Sequence, residues 1–350
     1  MPLTAELMVR LSRADRALGE LAGAGGELPN PRLLSRALVR REAVLSSRIE
    51  GTQASLSDLA LFELGAHDKP PEDTLEVHNY VRAMDHLLDP DRRLPLSMSL
   101  LREAHGLLLH GVRGGHATPG EFRHTQNWIG APGATLTSAA YVPPPPDRLW
   151  DCLGPLELHL HAERSLPPLL DIAAIHYQFE AIHPFTDGNG RVGRLLVVLL
   201  LVEWGLLPAP LLDLSAYIEP RREQYYTALL AVSTHGEWLG WFLYFLDAVE
   251  QQAKTSLTRA RRLHQLRESM RATVATPKGS ALPALLTDAL LDAPFLTVPR
   301  ARELLGVTHR AAAQHVQRLV DLGILQPYGP VRRPRLYHAP QVIEIVNDGT

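Results

Sequence analysis

Long stretches of the chain repeat apolar residues at the spacing of an α-helix. Residues 3–89 are rich in Ala, Leu, Arg and Glu, and residues 150–271 show the same helical periodicity. Within the second stretch, "LLDIAAIHYQFEAI" places Ile172, Ile175 and Phe179 on one helix face. The pattern therefore predicts a protein built mainly from α-helices.

Two segments of the second stretch differ in their expected surroundings. Residues 192–204 are apolar on nearly every side of the helix, which is typical of the buried centre of a helical bundle. Residues 250–270, "EQQAKTSLTRARRLHQLRESM", are strongly charged. We interpret them as a solvated connecting helix.

A non-helical insertion separates the two stretches. Residues 116–149, "HATPGEFRHTQNWIGAPGATLTSAAYVPPPPDRL", contain glycines, threonines, aromatic residues and consecutive prolines at 143–146. Because glycine and proline interrupt helices, we predict an irregular hairpin or flap that leads into an extended polyproline segment.

The C-terminal part of the chain has a third character. After "RATVATPKGSALP", which has the composition of a linker, the sequence predicts a helix, a tight turn at Gly306, a second helix and a strand pair. This order resembles a winged helix-turn-helix. We therefore expect an N-terminal helical region over residues 1–90, a core with the flap over 91–272, and the winged helix-turn-helix over 280–350.

Composition narrows the class of protein. A chain of 350 residues suits two or three domains, and a net charge of -3 gives no global reason to expect nucleic acid or membrane binding. The single cysteine, Cys152, can form neither an internal disulfide nor a thiolate metal site. The first residues lack the apolar core of a signal peptide, and no apolar run approaches the roughly 20 residues that span a bilayer. We expect a cytoplasmic protein without membrane contact.

The segment "IHPFTDGNGRVGRLL", residues 182–196, concentrates groups that bind phosphate. Pro184 predicts that the preceding helix ends near His183, and the glycines of the turn allow the backbone to approach a ligand closely. The next helix begins near Arg191, so its free N–H groups face the turn, and Arg191 and Arg194 can both project from its first turn. A helix N-terminus beside two arginines favours a polyphosphate.

Two further groups supply the chemistry at this turn. Asp187 alone would repel phosphates, but it becomes a ligand when a hard divalent cation such as Mg²⁺ lies between them. His183, four residues earlier, can take a proton from an incoming hydroxyl. Together these groups indicate a phosphoryl- or nucleotidyl-transfer site.

The sequence "HPFTDGNGRVGR" resembles the Fic family motif, His-x-Phe-x-Asp/Glu-Gly-Asn-Gly-Arg-x-x-Arg, at every defined position. The resemblance implies an all-α fold, in which a helical-bundle core carries a β-hairpin flap. It also implies transfer of AMP from ATP onto a Ser, Thr or Tyr hydroxyl of a protein, with release of pyrophosphate. Doc-like members that phosphorylate depart from Gly-Asn-Gly, and this chain does not.

The same resemblance implies a role for each motif residue. His183 is the general base, Phe185 anchors the loop, and Asp187 holds Mg²⁺. The implied nucleotide ligands are Gly188, Asn189 and Gly190 for the α- and β-phosphates, Arg191 for the phosphates, and Arg194 for the γ-phosphate.

Segments on both sides of the motif also resemble the family. Residues 120–146 correspond to the flap, which in the family holds the protein target by strand addition, and Trp128 or Tyr141 either contacts that target or packs locally. Downstream, "REQYYTALLAVSTHGEW" resembles the family segment near the adenine. Tyr225 and Tyr226 are therefore candidates to line the adenine pocket, although adjacent helical positions point in different directions and at most one reaches the base.

A second short motif lies in the N-terminal region. Taken alone, "LSSRIEGTQASL" predicts a helix that ends at a glycine C-cap. Beside the downstream motif it resembles the family's inhibitory sequence, Ser/Thr-x-x-x-Glu-Gly/Asn, with Ser46, Glu50 and Gly51 at the matching positions. We therefore predict that Glu50 pairs with Arg194, often in a two-point contact, and restrains the reaction.

Two uses of the C-terminal region stay open. Residues 280–350 contain seven arginines and no lysine against six acidic residues, a weak excess for a DNA-binding domain. Against this, the wing carries "RRPR", and the second helix carries polar and basic groups suited to DNA. These helix residues are His309, Arg310, Gln314, Gln317 and Arg318. We favour protein docking or homodimer formation over DNA binding.

The sequence as a whole predicts a protein adenylyltransferase that is held back by Glu50 and also modifies itself. One alternative is a deAMPylase, in which Glu50 aligns a water molecule for removal of AMP. Another alternative is a DNA-binding regulator whose core senses nucleotide.

Overall fold

The computed structural model describes residues 4–27, 31–65, 71–112, 118–131, 133–275, 280–329 and 334–348. It is mostly helical with one small sheet, as the sequence predicts. The N-terminal region contributes four helices to the described part of the chain: α1 (Ala5–Glu27), α2 (Pro31–Ile49), α3 (Leu56–Glu63) and α4 (Glu72–Leu87).

The central region forms the main bundle. Its described helices are α5 (Met98–Leu108), α6 (Leu149–His161), α7 (Pro168–Ile182), α8 (Asn189–Glu203), α9 (Ser215–Ile218), α10 (Arg222–His235) and α11 (Trp238–Val274). Helix α8 is buried from Val192 to Leu201 and packs against α2, α4, α5 and α7. This confirms the prediction of a buried central helix, and it fixes the position of the α8 N-terminus.

The prediction of a solvated helix over residues 250–270 is wrong. This segment belongs to α11, which packs along α1, and Leu257, Leu263 and Met270 are buried. Its apolar residues recur at helical spacing between the charged ones, so one face is covered while the other carries the charge. None of the described helices is both long and apolar enough to cross a membrane.

The C-terminal region packs on the N-terminal one. Helices α12 (Leu282–Asp292) and α15 (Pro340–Asn347) lie against α2, and α15 also contacts α11. A three-stranded antiparallel sheet has the order β1-β3-β2, with Phe295 and Gln326 both opposite His338. The elements are α12 (Leu282–Asp292), β1 (Phe295–Thr297), α13 (Val298–Leu305), α14 (His309–Asp321), β2 (Gln326–Pro327), β3 (Leu336–His338) and α15 (Pro340–Asn347).

Gly306 ends α13 at φ 63°, in the left-handed region that favours glycine, and α14 follows. Part of the predicted wing, Arg332 and Arg333 of "RRPR", lies outside the described residues. The winged-helix assignment and the three domain boundaries stay predictions.

Candidate active site

The loop between α7 and α8 is held in shape by its own side chains. Helix α7 ends at Ile182, and His183 follows with φ 49° and ψ 60°, in the left-handed region. The side-chain oxygen of Asn189 accepts a hydrogen bond from the Phe185 N–H, and its amide donates one to the Phe185 carbonyl, each at 2.8 Å. The Asn189 side chain therefore fixes the shape of the loop, so that the backbone N–H of Asn189 can point to a ligand.

The start of α8 depends on glycine. Gly188 caps the helix at φ 78°, a conformation that side chains rarely adopt. At Gly190, an added methyl group would lie 2.5 Å from Oε1 of Glu50. Gly188 is therefore required by its backbone conformation, whereas a side chain at Gly190 would displace the Glu50 carboxylate.

A cavity of about 680 Å³ opens beside this loop. His183, Asp187 and residues 188–190 line one end, and the flap and α10 line the other. This volume is in the usual range for a small-molecule site. The flap and α10 residues are Trp128, Ile129, Gly130, Ala131, Ala140, Tyr141, Tyr226, Leu229, Leu230 and Ser233.

His183 has the tautomer that a general base requires. Its Nδ1 lies 3.2 Å from the carbonyl oxygen of Glu180. Because a carbonyl can only accept, the hydrogen sits on Nδ1 and Nε2 keeps its lone pair. Burial lowers the pKa of His183 to about 4, so the ring is neutral at neutral pH. Its side chain is 20% exposed and lines the cavity.

His105 on α5 supports the motif loop from outside it, and sequence reasoning missed it. Its ring stacks on Phe185 with 3.8 Å between centroids. Nε2 donates to the Asp187 carbonyl oxygen at 3.0 Å, and Nδ1 accepts from the Gly120 N–H at 2.9 Å. Burial lowers its pKa to about 4, which keeps one nitrogen as donor and the other as acceptor. Its sequence signal is a lone histidine among apolar residues, which is usually a core residue.

Arg123 of the flap is a second residue that sequence reasoning missed. It is buried, its Nε donates to the His183 carbonyl oxygen at 2.9 Å, and its backbone N–H donates to the Pro184 carbonyl at 2.9 Å. The flap is thereby attached to the backbone of the proposed base. The sequence offers no sign that separates this arginine from surface arginines.

Asp187 is the residue predicted to hold Mg²⁺. Half of its side chain is exposed, and its Oδ1 accepts from the Gly188 N–H at 2.6 Å. Within the described residues, no group of three His, Cys, Asp or Glu side chains could hold a metal ion. The half-exposed Asp187 carboxylate on the cavity fits Mg²⁺ that is shared with phosphate oxygens, because Mg²⁺ usually keeps only one or two protein carboxylates.

The structure separates the two motif arginines. Arg191 is buried, with Nη1 at 3.5 Å from Oε2 of Glu76 on α4 and Nη2 at 3.9 Å from Oδ1 of Asp187. Neither Arg191 nor Arg194 is among the residues that line the cavity. Glu76 on α4 lies beside the guanidinium of Arg191 inside the protein, and contact of Arg191 with phosphates stays a prediction.

Arg194 is held by the N-terminal region. Its Nη2 donates to Oε1 of Glu50 at 2.7 Å, and its Nε donates to Oγ of Ser46 at 2.8 Å. Its Nη1 is buried without a hydrogen-bond partner among the described residues. The predicted pair with Glu50 is therefore present, but as a one-point contact. Gly51, directly after Glu50, has φ 100° and ends the turn that follows α2.

The charge on Glu50 is stabilised by this contact. Burial alone would raise the pKa of Glu50, but the attraction of Arg194 and its hydrogen bond lower it below the ordinary value. A third of the Glu50 side chain is exposed, and it lines the cavity beside Gly190. An ionised carboxylate thus stands at the end of the cavity where phosphates are expected.

The two adjacent tyrosines face different surroundings. Tyr226 is 45% exposed and lines the cavity. Tyr225 is buried and hydrogen-bonds Nε2 of His176 at 2.7 Å. Tyr225 therefore does not line the cavity, because successive positions of α10 point in different directions.

The flap is a short hairpin. Its antiparallel bridge joins Ile129 to Tyr141. Trp128 is 42% exposed and donates to the Ala134 carbonyl at 2.8 Å, while the Tyr141 hydroxyl donates to the Ala181 carbonyl at 3.0 Å. Both aromatic residues pack locally and line the cavity.

Comparisons with known proteins agree with this arrangement. The chain is 30% identical over 188 residues to the protein adenylyltransferase Fic of Drosophila grimshawi, a match that covers 51% of this chain and 35% of that protein. It is 28% identical over 197 residues to a probable protein adenylyltransferase of Aquifex aeolicus, covering 56% of this chain and 58% of that one. The chain therefore spans less than two thirds of either relative.

Solved structures share the fold. A Fic family protein from Desulfovibrio desulfuricans G20 superposes with a TM-score of 0.61 at 21% identity, over 97% of both chains. Fic-1 from C. elegans superposes with a TM-score of 0.55 at 23% identity, over 74% of this chain and 73% of that one.

Family models match both the N-terminal region and the core. The Fic/DOC family N-terminal model matches residues 8–89, and the Fic/DOC family model matches residues 95–201. Together they span more than half of the chain, which belongs to the Fic/DOC family.

Proposed function

We propose that this protein is an adenylyltransferase that transfers AMP from ATP to a hydroxyl group of a target protein. The observation that carries the proposal is the shared cavity. A neutral His183 with a lone pair on Nε2 and the glycine-rich start of α8 line the same 680 Å³ space. The relatives named protein adenylyltransferase support the same reaction.

The chemistry follows from the placement of these groups. The target hydroxyl gives its proton to Nε2 of His183, and its oxygen attacks the α-phosphorus of ATP. The bond from that phosphorus to the bridging oxygen breaks, and pyrophosphate leaves. The backbone N–H groups at the start of α8 and the field of the helix stabilise the charge on the phosphates. Asp187 would hold Mg²⁺, which would supply neutralisation of the phosphate charge.

The turn at residues 188–190 keeps the Gly-Asn-Gly sequence from which the phosphorylating Doc-like members depart. This sequence favours attack at the α-phosphate over attack at the γ-phosphate. Incubation of the full-length protein with ATP labelled at either position tests this choice. AMP transfer labels protein from the α-phosphate and not from the γ-phosphate. Labelling from the γ-phosphate would show that the protein is a kinase instead.

The target is proposed to lie along the flap. The Ile129–Tyr141 bridge presents extended backbone at the cavity edge, and an extended segment could add to it through main-chain hydrogen bonds. Such pairing carries little sequence information, so selection of the target depends on contacts away from the cavity.

Restraint by Glu50 is part of the proposal. The Glu50 carboxylate pairs with the guanidinium of Arg194, which would otherwise hold the γ-phosphate. It also lies beside Gly190, at the end of the cavity where we expect the phosphates. ATP that enters this site binds with its α-phosphate displaced from the line of attack. A misplacement of about 1 Å costs on the order of 10²-fold in rate.

A second candidate reaction is removal of AMP from a modified protein. The exposed third of the Glu50 side chain on the cavity favours it, because this carboxylate could align a water molecule for attack on the phosphodiester. Incubation of wild type and Glu50→Gly with a target carrying AMP separates the two reactions. The deAMPylase account predicts that release of AMP is lost in Glu50→Gly.

A further inference from the structure

Glu180 is a buried carboxylate in the wall of the cavity, and it has no role in the reaction steps proposed above. It lies on α7, three residues before His183, and is 9% exposed. Its Oε2 is 4.0 Å from Nδ1 of His183. Its Oε1 is buried and has no hydrogen-bond partner in the described part of the chain. An unpartnered buried carboxylate is costly, so its retention requires an explanation.

The neighbouring helix makes room for this carboxylate. A methyl group added at Gly193 of α8 would overlap Oε1 of Glu180 and would also lie 3.2 Å from Cε1 of His176. Gly193 has no unusual backbone conformation that would require glycine, since it lies inside α8. Its missing side chain therefore serves the packing of Glu180 against the helix.

The ionisation of Glu180 depends on a small set of groups. Burial raises its pKa to about 7, Arg194 opposes that rise and Glu50 adds to it. His176 is neutral, because burial lowers its pKa to about 3, and burial raises the pKa values of both tyrosines of α10. The groups that surround Glu180 are His176 on α7, His183 just after α7, Arg194 on α8, Glu50 after α2, and Tyr225 and Tyr226 on α10.

We propose that Glu180 is a positioning residue for His183, and that its ionised carboxylate stabilises the imidazolium that forms when His183 takes the target's proton. This inference rests on the proposed function. In that imidazolium, the Nδ1–H that donates to the Glu180 carbonyl carries positive charge, and Nδ1 lies 4.0 Å from Oε2 of Glu180. In a serine protease triad, a carboxylate behind the histidine base likewise stabilises the charged ring, there through a hydrogen bond to Nδ1–H. Here the backbone carbonyl of Glu180 orients the ring, and the carboxylate contributes its charge from 4.0 Å.

The rate of AMP transfer provides one test. In the Glu50→Gly background, transfer at saturating ATP and target should rise with pH as Glu180 ionises. The double variant Glu50→Gly/Glu180→Gln should transfer AMP as fast as Glu50→Gly at low pH, because both side chains at position 180 are then neutral and of the same shape. At high pH it should be about three- to tenfold slower, because it lacks the charge. Affinity for ATP at low pH should be unchanged.

A matched control lies on the same helix. Asp171 is also a buried carboxylate beside a histidine, with Oδ1 at 2.7 Å from Nε2 of His159, but it does not line the cavity. Asp171→Asn should leave the shape of the pH profile unchanged. A loss of rate in Glu180→Gln that is equal at every pH would overturn the proposal, because it would indicate a purely structural role.

A second measurement does not depend on activity. Imidazole NMR signals of the full-length wild type, assigned with His183→Ala, should show a step near pH 7 for His183 that Glu180→Gln lacks. Absence of the step, or its survival in Glu180→Gln, would overturn the inference. If the step is present but no variant transfers AMP at any pH, the proposed function fails while the coupling of Glu180 to His183 stands.

Discussion

His105 holds the motif loop from a helix that precedes it by about eighty positions in the chain. One ring contacts the Asp187 carbonyl, the Gly120 N–H and the Phe185 ring. Because its pKa is about 4, the neutral ring keeps these contacts throughout the physiological pH range. The loop that carries the proposed base and metal ligand is thus positioned by a side chain outside it.

Substitution of His105 tests this support. We expect His105→Ala to lower AMP transfer by about 10²-fold, since loss of both hydrogen bonds lets the loop move by the order of 1 Å. Initial rates with α-labelled ATP in the Glu50→Gly background measure the effect. His86→Ala is the control, because His86 lies on the exposed surface of α4 and pairs with Glu103. Equal rates for His105→Ala and its parent would show that the loop holds its shape without the ring.

The chemical groups of the motif could be recognised from the sequence, whereas the directions in which their side chains point could not. The spacing of His183, Asp187 and the glycines specifies the chemistry because these residues are neighbours in the chain. The inward position of Arg191 depends on Glu76 of α4, a contact between residues far apart in sequence. Similarly, only the packing of α10 decides that Tyr226 and not Tyr225 lines the cavity.

At the scale of elements, local signals predicted where helices end. Helix α7 ends before Pro184, and the turn after α2 ends at Gly51 with a positive φ. The burial of α11 was harder to predict, because apolar positions between its charged residues form a face that α1, α12 and α15 pack against. The flap was recognised from its glycines and prolines, but its attachment through Arg123 involves contacts that no local pattern records.

Helix α14 offers a test of the two uses proposed for the C-terminal region. Arg310 is exposed, whereas Arg318 donates to the carbonyl of Val274 at the end of α11. If α14 binds DNA, Arg310→Glu in the full chain should weaken binding and reduce the salt slope by about 1. Arg318→Glu should chiefly lower the melting temperature. Fluorescence anisotropy with labelled duplex measures binding, and absence of binding by wild type at low salt favours protein docking.

At the scale of the molecule, a buried ionic cluster joins the N-terminal helix α2 to α11. Asp213 is fully buried and pairs with Arg41 of α2, while Nη1 of Arg259 on α11 lies 3.5 Å from it. Arg259 also donates to the carbonyl of Asp348, just past α15, at 2.8 Å. Helix α2, which directly precedes Glu50, is therefore braced by both the core and the C-terminal region.

Loss of the central charge should destabilise the fold. Asp213→Asn leaves two buried arginines without their carboxylate, and we expect a loss of about 3–5 kcal/mol in the free energy of unfolding. Denaturant titration of the full-length protein measures this change. Asp247→Asn removes a partner of Arg10 nearer the surface and should cost less than about 1 kcal/mol. Comparable losses in both variants would contradict the bracing role of the cluster.

We propose that this protein transfers AMP and that Glu50 restrains the transfer. The most direct measurement is the initial rate of protein labelling by α-labelled ATP, compared between full-length wild type and Glu50→Gly. We predict at least about a tenfold increase in Glu50→Gly, because Arg194 becomes available to the γ-phosphate. Adding His183→Ala should reduce the increased rate by about 10²–10⁴-fold while ATP still binds. Equal rates in wild type and Glu50→Gly would contradict the restraint, and absence of labelling in both would contradict AMP transfer itself.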